Sequence, residues 1–123
     1  MAIIDIDAFK SINDRFGHII GDAVLQAVAS NLLTHKRVTD EVCRLGGDEF
    51  VLFLPDAQLT EASAICENVR RHFSECKVGR EYGVSLSIGV AEWMSNEDHT
   101  AFLTRADQKL FVAKREGRNR VAS

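Results

Sequence analysis

Two short stretches place acids beside the kind of backbone that binds phosphate. In DIDAFKSINDRFGHIIGD, residues 5–22, Asp5 and Asp7 come at the end of an apolar run and Lys10 follows. A helix opening near Phe9 and Lys10 would offer N–H groups that have no partner within the helix. In RLGGDEF, residues 44–50, two glycines precede Asp48 and Glu49 with apolar residues on either side. Acids at a strand end, then free amides and a lysine, suit a metal-bound polyphosphate. Carboxylate oxygens hold a hard cation such as Mg²⁺, the helix N-terminus takes phosphate oxygens, and Lys10 neutralises charge that builds up in the transition state. Each stretch alone also reads as caps or solvated loop acids. Together they carry more weight, because a strand ending at Asp5 and a hairpin tip with Asp48 and Glu49 would gather three carboxylates. Such a cluster is unfavourable without cations and is what two-metal nucleotidyl transfer requires.

The elements that must position these groups follow from hydrophobic periodicity. AIID reads as a buried strand with Asp5 at its carboxyl end. Gly17 and Gly21 permit tight turns, and Ile20, Ala23, Val24, Ala27, Val28 and Leu32 recur at helical spacing. CRLGGDEFVLFLP predicts two strands around a glycine turn, the chain reversing within Leu45–Asp48. FVLFL, apolar throughout, predicts a strand buried on both faces and ended by Pro55. Leu59, Ala62, Ile65, Cys66, Val69 and Phe73 mark another helix, and Val84, Leu86, Ile88 and Val90 alternate as a strand does. A further helix spans about Thr100 to Glu116 with Phe102, Leu103, Ala106, Leu110 and Ala113 inward, and GRNRVAS closes with a short edge strand. The expected class is one α/β (α+β) domain over residues 1–123, helices covering a mainly antiparallel sheet.

Composition narrows the function. A net charge of −3 and 27% charged residues provide no overall basic face, which argues against a duplex DNA binder. Cys43, Cys66 and Cys76, an odd count without CxxC spacing, exclude a disulfide framework and a zinc site and are expected as buried, reduced thiols. Nothing approaches a membrane span or a signal peptide, so the expectation is a cytoplasmic segment without membrane contact, or the cytoplasmic part of a longer membrane or sensor protein.

The blocks DIDAFKSINDRFGHIIGD, RLGGDEF, VSLSIGVA and ADQKLFVAKREGRNRV, in that order, resemble the GGDEF domain of diguanylate cyclases across nearly the whole chain. The resemblance implies a fold like the polymerase palm and the adenylyl cyclase core. It also implies condensation of two GTP into cyclic di-GMP with release of pyrophosphate, in bacterial signalling. By position, Asp5, the carbonyl of Ile6 and Asp48 would bind Mg²⁺ (Mn²⁺ being the alternative ion). Asp48 would also accept the ribose 3′-hydroxyl proton, with Glu49 supporting the metal site. Asn13 and Asp22 would read guanine, with Phe9 and His18 close by. Lys10, Lys114 and Arg118 would hold the triphosphate, and Gly46 and Gly47 would let the nucleotide press against the turn. These types suit the task, since guanine presents an N1–H and N2–H₂ donor edge that a carboxylate and an amide oxygen accept and adenine lacks. Lys114 and Arg118, four apart near a helix end, would reach one phosphate tail from one face; the other reading is a basic helix terminus favoured by the dipole.

Arg37-Val-Thr-Asp40 resembles the family's RxxD inhibitory site, where cyclic di-GMP would bind as product and inhibitor, with Arg71 or its neighbour Arg70 completing it. The family's usual opening helix, with its DxLTGLxNRR-like segment, has no counterpart here. Since each subunit would hold one GTP, catalysis would need a homodimer. The competing reading is a non-catalytic module that binds cyclic di-GMP or GTP, against which the intact acids Asp48 and Glu49 speak.

Overall fold

Ala2–Ile6 (β1) is buried along its whole length and forms the centre of the sheet, which follows from its apolar run. The computed structural model describes all of residues 1–123. After β1 come two helices, Phe9–Phe16 (α1) and His18–His35 (α2), then the hairpin Glu41–Gly46 (β2) and Glu49–Phe53 (β3). Leu59–Glu75 (α3) and the short Lys77–Tyr82 (α4) lead to Leu86–Val90 (β4). His99–Arg115 (α5) and Val121–Ala122 (β5) complete the chain. The five strands are ordered β2-β3-β1-β4-β5, all antiparallel except β4 with β5. This is the mainly antiparallel α/β architecture that the sequence implies.

Alternation along the strands gives the sheet two different faces. Ala2, Ile4, Ile6, Phe50, Leu52, Leu86 and Ile88 join Val24, Val28 and Leu32 of α2 and Val69 and Phe73 of α3 in the larger core. On the other face Ile3 and Ala91 meet Phe102, Ala106 and Leu110 of α5. Here α5 lies against the strand backbone itself. A Cβ on Gly89 would stand 2.1 Å from the nitrogen of Leu110, so only glycine permits this approach.

Several expectations need correction. FVLFL is not buried on both faces, because α5 covers β1 and β4 and leaves the β3 side open; Phe53 is 47% exposed. Leu103, expected inward, is also exposed, since it extends from α5 toward that uncovered side. The cysteines do not share one environment. Cys66 is buried in the larger core, where desolvation pushes its thiol up to about 12, whereas Cys43 is exposed on the edge strand β2. Gly17, with φ of 84°, does make the turn between α1 and α2, but Gly21 lies inside α2. The helix α4 has no counterpart among the expected elements.

Candidate active site

The hairpin places the paired acids against the end of β1. Asp5 stands opposite Glu49 in the β1–β3 register, and the amide of Ile6 donates to the carbonyl of Asp48 at 3.2 Å. The chain reverses over Gly47 and Asp48, one residue later than expected, because Gly46 still pairs with Glu49 and the register shift falls between Arg44 and Gly46. Gly47 has φ of 55°, and the Arg44 guanidinium clamps its carbonyl from Nε at 3.1 Å and Nη2 at 2.6 Å. Beside Gly46 and Gly47 the space that a Cβ would occupy is open, with no protein atom within 4 Å. A ligand can therefore approach this turn closely.

Asp5 is buried, and its carboxyl lies above the usual range. Desolvation is the main cause, with Asp48 and Asp7 adding repulsion; the Lys114 ammonium, 2.8 Å from Oδ2, opposes them. The seating of α5 on Gly89 aims its last turn at the strand end, which is how Lys114 reaches Asp5. No three His, Cys, Asp or Glu side chains form a ready-made metal cage. That suits Mg²⁺, which is held through one or two carboxylates plus substrate phosphates rather than by protein alone. Asp5, Asp48 and the Ile6 carbonyl are hard oxygen donors of that kind, so the residues present fit a divalent cation.

Around this centre the helices present the other expected groups. α1 starts from Ala8 in a left-handed conformation (φ 56°) without a side-chain cap, which leaves its first amides for a ligand; Phe9 is half-buried and Lys10 exposed in the first turn. Asn13 is packed against α2, since a Cβ on Gly21 would come within 1.9 Å of its Oδ1. The structure thus brings Asn13 beside the turn of α2 that carries Asp22, with His18 exposed at the first residue of that helix. Lys114 and Arg118 do not share a helix face as spacing implied. α5 ends at Arg115, and Arg118 lies in the following turn with φ of 61°.

One buried acid at this strand end is one to which sequence reasoning gave no separate role. Asp7 accepts from Ser85 Oγ and Ser87 Oγ, each at 2.6 Å, and from the amide of Asn119 at 3.1 Å. Arg44 was missed as well, although an arginine three residues before Gly47 in RLGGDEF was a visible signal.

The RxxD loop is a closed unit. Asp40 is fully buried and accepts from the Arg37 amide at 2.7 Å and from Arg37 Nε at 3.0 Å. Arg37 also donates from Nη1 to Glu61 at 2.8 Å and from Nη2 to the carbonyl of Pro55 at 2.9 Å. Arg71 is not brought to this loop. It donates to Asn68 and lies ten residues beyond Glu61 on α3, about 15 Å at 1.5 Å per residue. Arg70 pairs with Glu67 and Asn119 instead.

Comparison with known proteins identifies the family and the fold. The family model described as "Diguanylate cyclase, GGDEF domain" matches residues 1–120. The chain is 46% identical over 125 residues to the response regulator PleD of Caulobacter vibrioides, covering 97% of this chain and 28% of that protein. It is 40% identical over 123 residues to the diguanylate cyclase DosC of Escherichia coli, covering 97% and 27%. The chain therefore spans less than a third of the length of these curated relatives. Among solved structures, the GGDEF domain of DgcB from Caulobacter crescentus in complex with c-di-GMP superposes with a TM-score of 0.91 at 34% identity, over 98% of this chain and 74% of that one. The active GGEEF domain of a diguanylate cyclase from Vibrio cholerae gives 0.91 at 35% identity, over 98% and 79%. No helix of the chain is long and apolar enough to cross a membrane.

Proposed function

The chain belongs to the GGDEF domain family of diguanylate cyclases, and from that premise we propose that it condenses two GTP into cyclic di-GMP and pyrophosphate across a homodimer. The observation that carries this reading is the open glycine turn facing the Asp5 strand end, where Asp5 and Glu49 stand opposite each other and Asp48 bonds to Ile6 through its backbone. Divalent cations, Mg²⁺ or Mn²⁺, held by Asp5, the Ile6 carbonyl and Asp48 with Glu49 in support, would neutralise the triphosphate and lower the pKa of the attacking hydroxyl.

The chain's own groups do the rest. Asn13 and Asp22 accept from the guanine edge, with Phe9 and His18 bordering the base. The α1 amides, Lys10, Lys114 and Arg118 hold the phosphates, and Lys114 exchanges its ion pair with Asp5 for a phosphate as GTP enters. Asp48 takes the proton of the ribose 3′-hydroxyl. That oxygen bonds to the α-phosphorus of the facing GTP, and the bond to pyrophosphate breaks; the same step in the opposite direction closes the ring and releases the second pyrophosphate. Each protomer contributes one GTP, so proximity comes from the dimer.

Product inhibition is proposed at Arg37 and Asp40. Arg37 would leave Glu61 and Pro55 to fork onto cyclic di-GMP, while the buried Asp40 keeps the loop in shape; Arg71 would take part only by reaching along α3. The test is conversion of GTP with Mg²⁺ over a wide range of protein concentration, beside Asp48→Ala. Product that rises faster than linearly with protein and vanishes in the variant is expected. Tight cyclic di-GMP binding with no turnover at any concentration would instead assign a receptor.

A further inference from the structure

The loop between α5 and β5 holds three successive residues at positive φ, Gly117 at 115°, Arg118 at 61° and Asn119 at 48°. Two of them are not glycine, and such a conformation persists only where the surroundings over-determine it. The fastenings can be named. The Arg118 amide donates to the carbonyl of Ala113 at 3.0 Å, and the Ile88 amide donates to the carbonyl of Arg120 at 2.9 Å. Asn119 Oδ1 accepts from Arg70 Nη1 at 2.7 Å, and Arg70 is itself held by Glu67 from Nε at 2.9 Å. The Asn119 amide donates to Asp7 Oδ2 at 3.1 Å.

Of these anchors Asp7 alone is a buried acid, 7% exposed, and alone adjoins the strand end that carries Asp5 and Ile6. It has no salt-bridge partner; its named side-chain partners are the two β4-side serine hydroxyls and the loop amide. A buried carboxylate is tolerated only when it is well supplied with donors. Moving the Arg118 loop therefore strips a donor from Asp7, and loosening Asp7 releases the turn from which Arg118 extends.

We propose that Asp7 is a positioning residue for the phosphate clamp, fixing Arg118 through Asn119 and tying the clamp to the strand end that carries the metal-binding groups. This deepens the cyclase reading and rests on it, since it takes Arg118 as a phosphate ligand. The experiment is titration of the intact chain with GTP and with guanosine in Mg²⁺, for the wild type, Asp7→Asn, Ser85→Ala/Ser87→Ala, Arg118→Ala and the double variant Asp7→Asn/Arg118→Ala. Circular dichroism confirms that each is folded. Asp7→Asn is expected to weaken GTP about tenfold and to leave guanosine unchanged, with the serine variant losing about threefold in the same direction. In the Arg118→Ala background, Asp7→Asn is expected to cost less than a further twofold, because it acts through the group already removed. Unchanged GTP affinity in Asp7→Asn overturns the proposal. So do losses that multiply in the double variant, which would show Asp7 acting independently of Arg118. A wild type that binds guanosine but not GTP overturns the triphosphate reading, and this inference with it, and is thereby distinguished from failure of the Asp7 variants alone.

Discussion

The glycine turn and the RxxD loop are both short, charged and close to the hairpin, yet they use their charges in opposite ways. At the turn, polar groups are left open. The α1 amides lack a side-chain cap, Lys10 is exposed, and Asp5 remains above its usual range despite Lys114. In the RxxD loop every nitrogen of the Arg37 guanidinium has an acceptor, and the Asp40 carboxylate is enclosed. The first region is organised around something the protein does not itself supply. The second satisfies itself, so a ligand there has to displace internal partners before it is recognised. One polypeptide thus carries one polar cluster left open and one closed on itself, the contrast that the proposed substrate and product sites rest on.

The largest effects should separate the two regions. Asp48→Asn is expected to lower turnover by roughly 10²–10⁴-fold, the range for losing a general base, while leaving cyclic di-GMP affinity at the RxxD loop unchanged. Arg37→Ala is expected to do the reverse, with product inhibition lost and initial turnover kept. Rates measured with and without added product, beside direct product binding, check both; a shared loss in either variant would join the two sites into one.

Next in size is a test of how tightly the turn region is built. Gly21→Ala puts a methyl where Asn13 Oδ1 now lies, while replacing a helical glycine adds about 1 kcal/mol of helix propensity. The variant should melt no lower than the wild type yet bind GTP roughly tenfold more weakly and discriminate less against ATP. A stable variant with unchanged GTP preference would remove Asn13 from the base-reading role.

How far the sequence foretold these regions depends on the reach of each interaction. β1, the hairpin and the helical stripes were legible because hydrophobic periodicity is local. Ordered motif blocks named the acids at the turn. What escaped was set by distant partners. Asp7 gains its meaning from residues 78, 80 and 112 positions away, and nothing near it announces them. Leu103 and Phe53 carried a sound apolar signal, but only the placement of α5 over β1 and β4 decides that they face the open side. The spacing of Lys114 and Arg118 assumed that a helix continued where Gly117 turns the chain.

A smaller effect probes the self-satisfied loop. Glu61→Gln removes the anionic acceptor of Arg37 Nη1 without touching Asp40. Exposed ion pairs are weak, so the gain in cyclic di-GMP affinity should be about two- to fivefold. Weaker product binding would mean that Glu61 orients Arg37 for the ligand and does not compete for it.

The smallest expected effect is on stability, and its sign distinguishes a site built for a ligand from one built for the fold. Burial raises Asp5 above the ordinary aspartate value of 3.8, so the folded protein holds that proton more tightly than the unfolded chain does. The carboxylate accordingly costs stability as pH rises above 3.8 through the folded value. In EDTA at neutral pH, Asp5→Asn should melt a few degrees above the wild type despite losing its ion pair with Lys114, and the gap should close as pH falls toward 4. Added Mg²⁺ should raise the wild type more than the variant, because a bound cation relieves the same charge. Thermal melts across pH, with and without Mg²⁺, measure both trends. A variant less stable at neutral pH would mean that the Asp5–Lys114 pair holds the fold together, and the contrast between an open site and a closed loop would lose its main support.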